Sequence, residues 1–171
     1  MSIKTITTDA IFIAMALAVH YLEGLLPPII PGIPIRLGLA NIFTLLALLH
    51  LKKTDAFFIT LIRCTLGAVF GGSFIAILYS VAGGMFSYLG MTFLMPIYRK
   101  RTVTLIGVSV FGAFMFNLGQ ILIGTLFFSK VMVAYFPIMT VLSVPTGIII
   151  GIIATIISRR LKTGILPIER S

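Results

Sequence analysis

The residue of this sequence best suited to binding chemistry is Arg63, which falls inside an apolar stretch. It lies about 12 Å along a helix from either end of that stretch, at roughly 1.5 Å per residue. A charge buried there without a partner is costly, so the guanidinium must face the interior of a bundle or a wet cavity. We expect it to meet either a structural partner, such as Glu23 or helix-end carbonyls, or the anionic group of a ligand.

Amide and hydroxyl side chains inside other apolar stretches add to this signal. Asn117 and Gln120 are three residues apart, which places them on one face of a helix, and Asn41 and Thr44 repeat that spacing. Interhelical hydrogen bonding is the simpler alternative, worth about 0.6–2 kcal/mol per bond. We predict instead that these groups converge on a substrate-binding pocket that opens outward. The predicted pocket residues are Glu23, Arg36, Asn41, Arg63, Tyr79, Ser80, Asn117 and Gln120.

Several chemistries are disfavoured by what the sequence lacks. It has no G-x-x-x-x-G-K-[ST] run for ATP hydrolysis. It has one cysteine, two histidines and four acidic residues, with no two acids adjacent, so neither a zinc site nor a carboxylate cluster for magnesium is predicted. We therefore expect no metal, no cofactor and no catalysis by this chain alone.

The elements that must position these residues are membrane-spanning helices. The chain is 59% hydrophobic and only 10% charged, whereas soluble domains have about 25% charged residues. An all-α fold with six transmembrane helices in a single domain, residues 1–171, is predicted. The second and third helices are short for a hydrocarbon core of roughly 30 Å. The six apolar stretches are 5–22, 37–51, 56–71, 74–98, 103–128 and 131–158.

The basic residues predict the orientation of the helices. If the N-terminus is inside, ten of the thirteen bases fall in inward gaps, two (Arg36 and Lys130) fall in outward gaps, and Arg63 lies within a helix. Because inward loops collect Lys and Arg, both termini are predicted to face the cytoplasm. The net charge of +9 then reflects orientation and attraction to anionic lipids, and no nucleic-acid partner is expected. A cleaved signal peptide in the first stretch is the competing interpretation.

Small residues on the first helix predict a close approach by another helix. Ala10, Ala14 and Ala18 recur every four residues, which leaves a smooth surface. Packing inside the bundle and docking of a separate subunit are both compatible with this pattern.

Four segments carry a family resemblance: PGIPIRLGLAN at 31–41, LIRCTLG at 61–67, the glycine pair at 71–72, and YSVAGG at 79–84. They resemble the family labelled heptaprenyl diphosphate synthase component I, also called the Gx transporter family. That family is similar in architecture to the S components of energy-coupling-factor (ECF) transporters, which capture substrate in the membrane.

The resemblance implies a substrate-binding subunit in the cytoplasmic membrane of a bacterium, acting with an ECF coupling subunit and cytoplasmic ATPases. It also implies that Ala10, Ala14 and Ala18 form the docking surface for that coupling subunit. The two arginines and the apolar lining suit a compound with an anionic or polar head, such as a vitamin-like, isoprenoid- or quinone-related molecule. The alternative is a non-catalytic accessory subunit of heptaprenyl diphosphate synthase, since that chemistry needs paired acidic clusters which this chain lacks.

Overall fold

The protein folds as a bundle of α-helices with one short 3₁₀ helix. A computed structural model describes residues 3–25, 38–69, 74–127 and 130–162, and these contain no strand, which confirms the all-α prediction for this part of the chain. The helices are α1 (Ile3–Gly24), α2 (Asn41–His50), α3 (Lys53–Val69), α4 (Phe74–Arg99), α5 (Leu105–Phe127), the 3₁₀ helix (Lys130–Tyr135) and α6 (Phe136–Lys162).

Four segments are long and apolar enough to cross a membrane: Ile6–Gly24, Phe74–Arg99, Leu105–Phe127 and Met132–Arg160. They are compatible with a multi-pass membrane protein, as the composition predicts. The other two helices are shorter. At ten residues, α2 is about 15 Å long, which is half of a hydrocarbon core of roughly 30 Å.

The short α2 helix lies at the centre of the bundle. Residues 41–48 are all buried, and α2 contacts each of the other five α-helices. A helix that is apolar on every face is stable only when it is surrounded, and Ile42, Phe43, Leu45, Leu46 and Leu48 supply such faces. The sequence of α2 therefore predicts that it avoids water, and the structure shows that the other helices, rather than lipid, surround it.

The start of α2 differs from the predicted boundary at residue 37. Gly38 has a φ of +80°, a left-handed conformation that favours glycine, and residues 39 and 40 form a turn. The amide of Asn41 then donates to the carbonyl of Gly38 over 2.9 Å. Because this turn redirects the backbone, the helix begins at Asn41 rather than at residue 37. The start of the sixth predicted stretch is likewise a 3₁₀ helix rather than part of α6.

Glycines allow neighbouring helices to touch along their backbones. A β-carbon at position 147 of α6 would lie 2.4 Å from the Cα of Val110 in α5, and one at position 151 would lie 2.7 Å from the Cα of Ile106. A β-carbon at position 119 of α5 would lie 2.7 Å from a carbonyl oxygen of α4. The crossings of α5 with α4 and α6 therefore depend on glycine.

The bundle has two chemically different halves. One half, which we call the apolar half, is formed by the first parts of α1, α3 and α5 and the last parts of α2, α4 and α6. Its buried core includes Phe12, Ala16, Leu48, Ala56, Ile59, Met91, Met95, Leu105, Val108, Ile150 and Ala154. We call the opposite half, formed by the other ends of the same helices, the polar half. The predicted pocket residues that the structure describes belong to the polar half.

Candidate substrate-binding site

Arg63 of α3 is buried at the boundary between the two halves. Its side chain is 1% exposed, and its Nη2 donates to Asn41 Oδ1 over 2.5 Å and to Thr44 Oγ1 over 3.2 Å. Both acceptors are neutral oxygens on the first turn of α2. Within the described residues Arg63 forms no ion pair, so its charge is hydrogen-bonded but not neutralised.

A hydroxyl pair extends this network. The hydroxyls of Thr44 and Thr60 are 2.8 Å apart, and Thr60 donates to the carbonyl of Ala56 one turn earlier in α3. This chain ties Arg63 and α2 to the backbone of α3. The guanidinium is therefore held in a fixed position, as a binding group requires.

Glu23 makes a structural contact next to the predicted pocket. Its side chain is buried at the end of α1, and its Oε1 accepts the backbone N–H of Gly38. This hydrogen bond attaches the turn before α2 to the end of α1. Glu23 therefore positions the α2 entrance, and the structural pair between Glu23 and Arg63 that the sequence allowed is not formed. Arg36, the other predicted cation of the pocket, lies outside the described residues.

The electrostatic setting of Arg63 favours an anion. Its two acceptors lie on residues 41 and 44, in the first turn of α2. The N-terminus of a helix carries a partial positive charge of roughly half an elementary charge. The helix dipole does not compensate a guanidinium beside that end, and the nearby carboxylate of Glu23 accepts the N–H of Gly38 in the turn before the same helix. An anionic group between them would be stabilised by both.

Phe116 of α5 separates two groups of polar side chains. A β-carbon at position 38 would lie 2.8 Å from Asn41 Nδ2 and 2.9 Å from one edge of the Phe116 ring. A β-carbon at position 83 would lie 2.9 Å from the opposite edge of that ring and 3.1 Å from Gln120 Cγ. Asn41 and Gln120 therefore lie near opposite edges of one aromatic ring.

Two further predicted residues, Tyr79 and Asn117, contact Met139 of α6. Asn117 Nδ2 donates to the carbonyl of Met139 over 2.8 Å. Tyr79, which is 1% exposed, packs with Ile121 and Met139 in a small apolar cluster. Asn117 thus makes the interhelical bond that the sequence left as its alternative, although its side-chain oxygen stays available.

Buried amide and guanidinium atoms without a hydrogen-bond partner among the described residues lie in this region, whereas the apolar half has unpartnered serine and threonine hydroxyls and one carboxylate oxygen of Asp9. Five side chains of the polar half, each at most 5% exposed, carry atoms that have no hydrogen-bond partner among the described residues. These atoms are Asn41 Nδ2, Arg63 Nε, Ser80 Oγ, Asn117 Oδ1, and both Gln120 Nε2 and Gln120 Oε1. Since buried polar groups in folded proteins are nearly always paired, such a set is typical of a place where another molecule binds.

The structure also adds residues that the sequence did not single out as pocket residues. Phe116, Thr60 and Gly38 contact or order the predicted polar groups. Phe116 lies one helical turn before Gln120, and that spacing was the available signal, but a phenylalanine in an apolar helix is ordinarily read as core. No group of three or more metal-ligating side chains occurs in the described ranges.

The alanines of α1 are on the outside of the bundle. Ala10, Ala14 and Ala18 are exposed, whereas Phe12 and Ala16 of the same helix are buried. The alanine face therefore does not pack against the part of the chain that the structure describes, and Met15 and Ile11 extend it as exposed apolar residues.

Comparison with known proteins identifies the family. Neither a curated protein nor a solved structure matches the chain. The family model described as heptaprenyl diphosphate synthase component I matches residues 12–157, a span that contains both Arg63 and Gln120 and most of every helix. The chain therefore belongs to the heptaprenyl diphosphate synthase component I family.

Proposed function

We propose that the protein is the substrate-binding membrane component of an ATP-driven uptake transporter of the ECF type. The observation that carries this proposal is the cluster of buried polar atoms from α2, α3, α4 and α5 in the polar half that have no hydrogen-bond partner among the described residues. In a bundle that needed only stability, the buried polar groups would be paired or replaced by apolar ones. A site of this composition suits capture of a small amphipathic solute such as a vitamin-like, isoprenoid- or quinone-related compound.

The proposed topology has six membrane segments with both termini in the cytoplasm of a bacterium. It is supported by the distribution of lysine and arginine, which places ten bases in inward gaps. In this orientation the polar half faces outward and the apolar half faces the cytoplasm. A solute arriving from outside would then reach Arg63 without crossing the apolar core.

The exposed alanine face of α1 is the proposed docking surface for the coupling subunit. Three small residues, Ala10, Ala14 and Ala18, form a shallow strip that a helix of the partner can approach closely. ATP hydrolysis would be supplied by the partner ATPases, in keeping with the missing ATP-binding motif in this chain.

The test is affinity purification of the tagged protein with and without a bulky residue on that face. Ala14→Trp should abolish copurification of a polytopic coupling protein and of ATPases with Walker motifs, identified by mass spectrometry. Val141→Trp is the matched control, because Val141 is 70% exposed on α6 and lies on another surface. Equal recovery of the ATPases with both variants would contradict the proposal.

A second candidate is a non-catalytic membrane subunit of heptaprenyl diphosphate synthase, favoured by the family description. It predicts that the same purification yields a soluble prenyl synthase with aspartate-rich motifs in place of the ATPases. It also predicts that deletion of the protein changes prenyl chain length without changing uptake. The identity of the copurified enzyme therefore decides between the two functions.

A further inference from the structure

The positions of the unpartnered atoms specify what kind of molecule the site takes. On one side of Phe116 are two hydrogen-bond donors, Arg63 Nε and Asn41 Nδ2, each buried and without a partner among the described residues. On the other side is Gln120, whose side-chain donor and acceptor both lack a partner among the described residues. The first side can only donate, whereas the second can donate and accept.

The side of Phe116 that carries only donors favours an anion over a neutral carbonyl. A buried guanidinium hydrogen-bonded to neutral oxygens keeps its full charge, and the first turn of α2 adds positive potential at the same place. Charge-assisted bonds from a guanidinium to an anionic oxygen are about twice as strong as neutral ones. A neutral ligand would leave the charge uncompensated in a low-dielectric site.

We propose that the ligand is a small elongated molecule with an anionic oxygen group at one end and an amide-like or hydroxyl group at the other. The anionic end is held by Arg63 and Asn41 beside the start of α2. The apolar or aromatic middle lies against Phe116, and the second polar end is bound by Gln120. This assignment rests on the proposed function and adds to it the order of chemical groups along the substrate.

The inference can be tested with probes of defined chemistry. The single cysteine, Cys64, is buried, so its reaction with a fluorogenic maleimide reports thermal unfolding of the purified protein in detergent. The probes are acetate, benzoate, 4-carbamoylbenzoate, inorganic phosphate and the neutral terephthalamide. Dimyristoyl phosphatidate, which also has anionic oxygens, tests whether a lipid headgroup occupies the site instead of a diffusible solute.

We expect 4-carbamoylbenzoate to raise the melting temperature most, benzoate less, and terephthalamide not at all. Arg63→Gln should weaken binding of both carboxylates by about 10- to 100-fold, the value of a lost charge-assisted hydrogen bond. Gln120→Leu should leave benzoate binding unchanged and reduce 4-carbamoylbenzoate to the level of benzoate. Without probe, Arg63→Gln should melt at or above the wild-type temperature, because it removes an uncompensated charge.

Three outcomes would overturn the inference: equal stabilisation by the neutral and anionic probes, no response to any small anion, or a response to phosphatidate alone. A lower melting temperature of probe-free Arg63→Gln would assign the cation a structural role and would also overturn it. These failures are distinct from failure of the proposed function. If the protein joins an ATP-driven transporter that takes up a neutral solute, only the assignment of an anionic ligand fails. If it binds the anion but never joins a coupling subunit, only the proposed transport function fails.

Discussion

The apolar half and the polar half of this bundle are built from the same six α-helices, but their buried side chains differ in chemistry. In the apolar half, side chains such as Leu48, Ile59 and Met91 are almost wholly buried among one another. In the polar half, Arg63 and Gln120 are buried just as deeply, but several of their polar atoms lack partners among the described residues. Buried polar atoms without partners occur in both halves, but among the described residues the unpartnered amide and guanidinium atoms lie in the polar half.

This difference indicates that one half stabilises the bundle and the other half binds the ligand. Close packing in the apolar half stabilises the bundle, because filled interiors gain dispersion energy that a cavity would lose. Unpartnered polar atoms in the polar half cost free energy unless another molecule satisfies them. Substitutions in the first half should consequently change stability, and substitutions in the second half should change binding.

The largest expected effect comes from a glycine of the apolar half. Gly151→Val would place a β-carbon 2.7 Å from the Cα of Ile106, and a backbone atom cannot move aside without separating α6 from α5. We expect destabilisation of more than about 3 kcal/mol, seen as loss of the monodisperse peak in size-exclusion chromatography.

Gly83→Val is the matched comparison, because its β-carbon would meet the side chains of Phe116 and Gln120 rather than backbone. This variant should be destabilised less than Gly151→Val and should lose ligand binding. If both variants unfold to the same degree, the proposed division between the halves is wrong.

The next effect is a cavity in the apolar half. Leu48→Ala removes a side chain that is 2% exposed at the centre of the bundle, and it should lower the free energy of unfolding by roughly 2–4 kcal/mol. Unfolding in mixed micelles, followed by Cys64 labelling, measures this change. Ligand affinity of the folded fraction should stay within about twofold, and a large loss of affinity would show that the apolar half also shapes the site.

A smaller change in stability is expected in the polar half. Gln120→Leu replaces an amide that has no hydrogen-bond partner among the described residues by an apolar group of similar volume. The free energy of unfolding should change by less than about 1 kcal/mol, since no hydrogen bond is lost. A loss above 2 kcal/mol in the same micelle assay would mean that Gln120 supports the fold rather than the ligand.

The long helices of both halves could be predicted from the sequence. The fourth stretch was expected at residues 74–98 and the helix is Phe74–Arg99, and the fifth was expected at 103–128 and the helix is Leu105–Phe127. Uninterrupted apolar runs of this length leave little alternative to a helix in a membrane. The position of α2 was not predictable, because a helix that is apolar on all faces gives no periodicity to identify its neighbours.

Much of the candidate site was also foreseeable, but not its internal order. Polar residues stand out inside apolar runs, so Asn41, Arg63 and Gln120 could be identified as candidates. Because consecutive helices run in opposite directions, all three lie in the same half. The bond from Glu23 to Gly38 could not be foreseen, because it depends on a left-handed glycine and on the end of α1. Phe116 could not be separated from ordinary core residues, because its role follows from the glycines at both of its edges.

The smallest effect compares two serines of α4, one in each half. Ser80 and Ser87 are both buried, at 3% and 0% exposure, and neither hydroxyl has a partner among the described residues. Each serine-to-alanine change should raise the free energy of unfolding, by no more than about 0.5 kcal/mol, because it removes a buried hydroxyl that has no partner among the described residues. Only Ser80→Ala should weaken binding of 4-carbamoylbenzoate, by a few-fold, because Ser80 lies in the same half as Arg63 and Gln120. Binding is measured by the shift in melting temperature. Equal losses in both variants would mean that unpaired hydroxyls in α4 result from the packing of that helix and do not indicate where the solute binds.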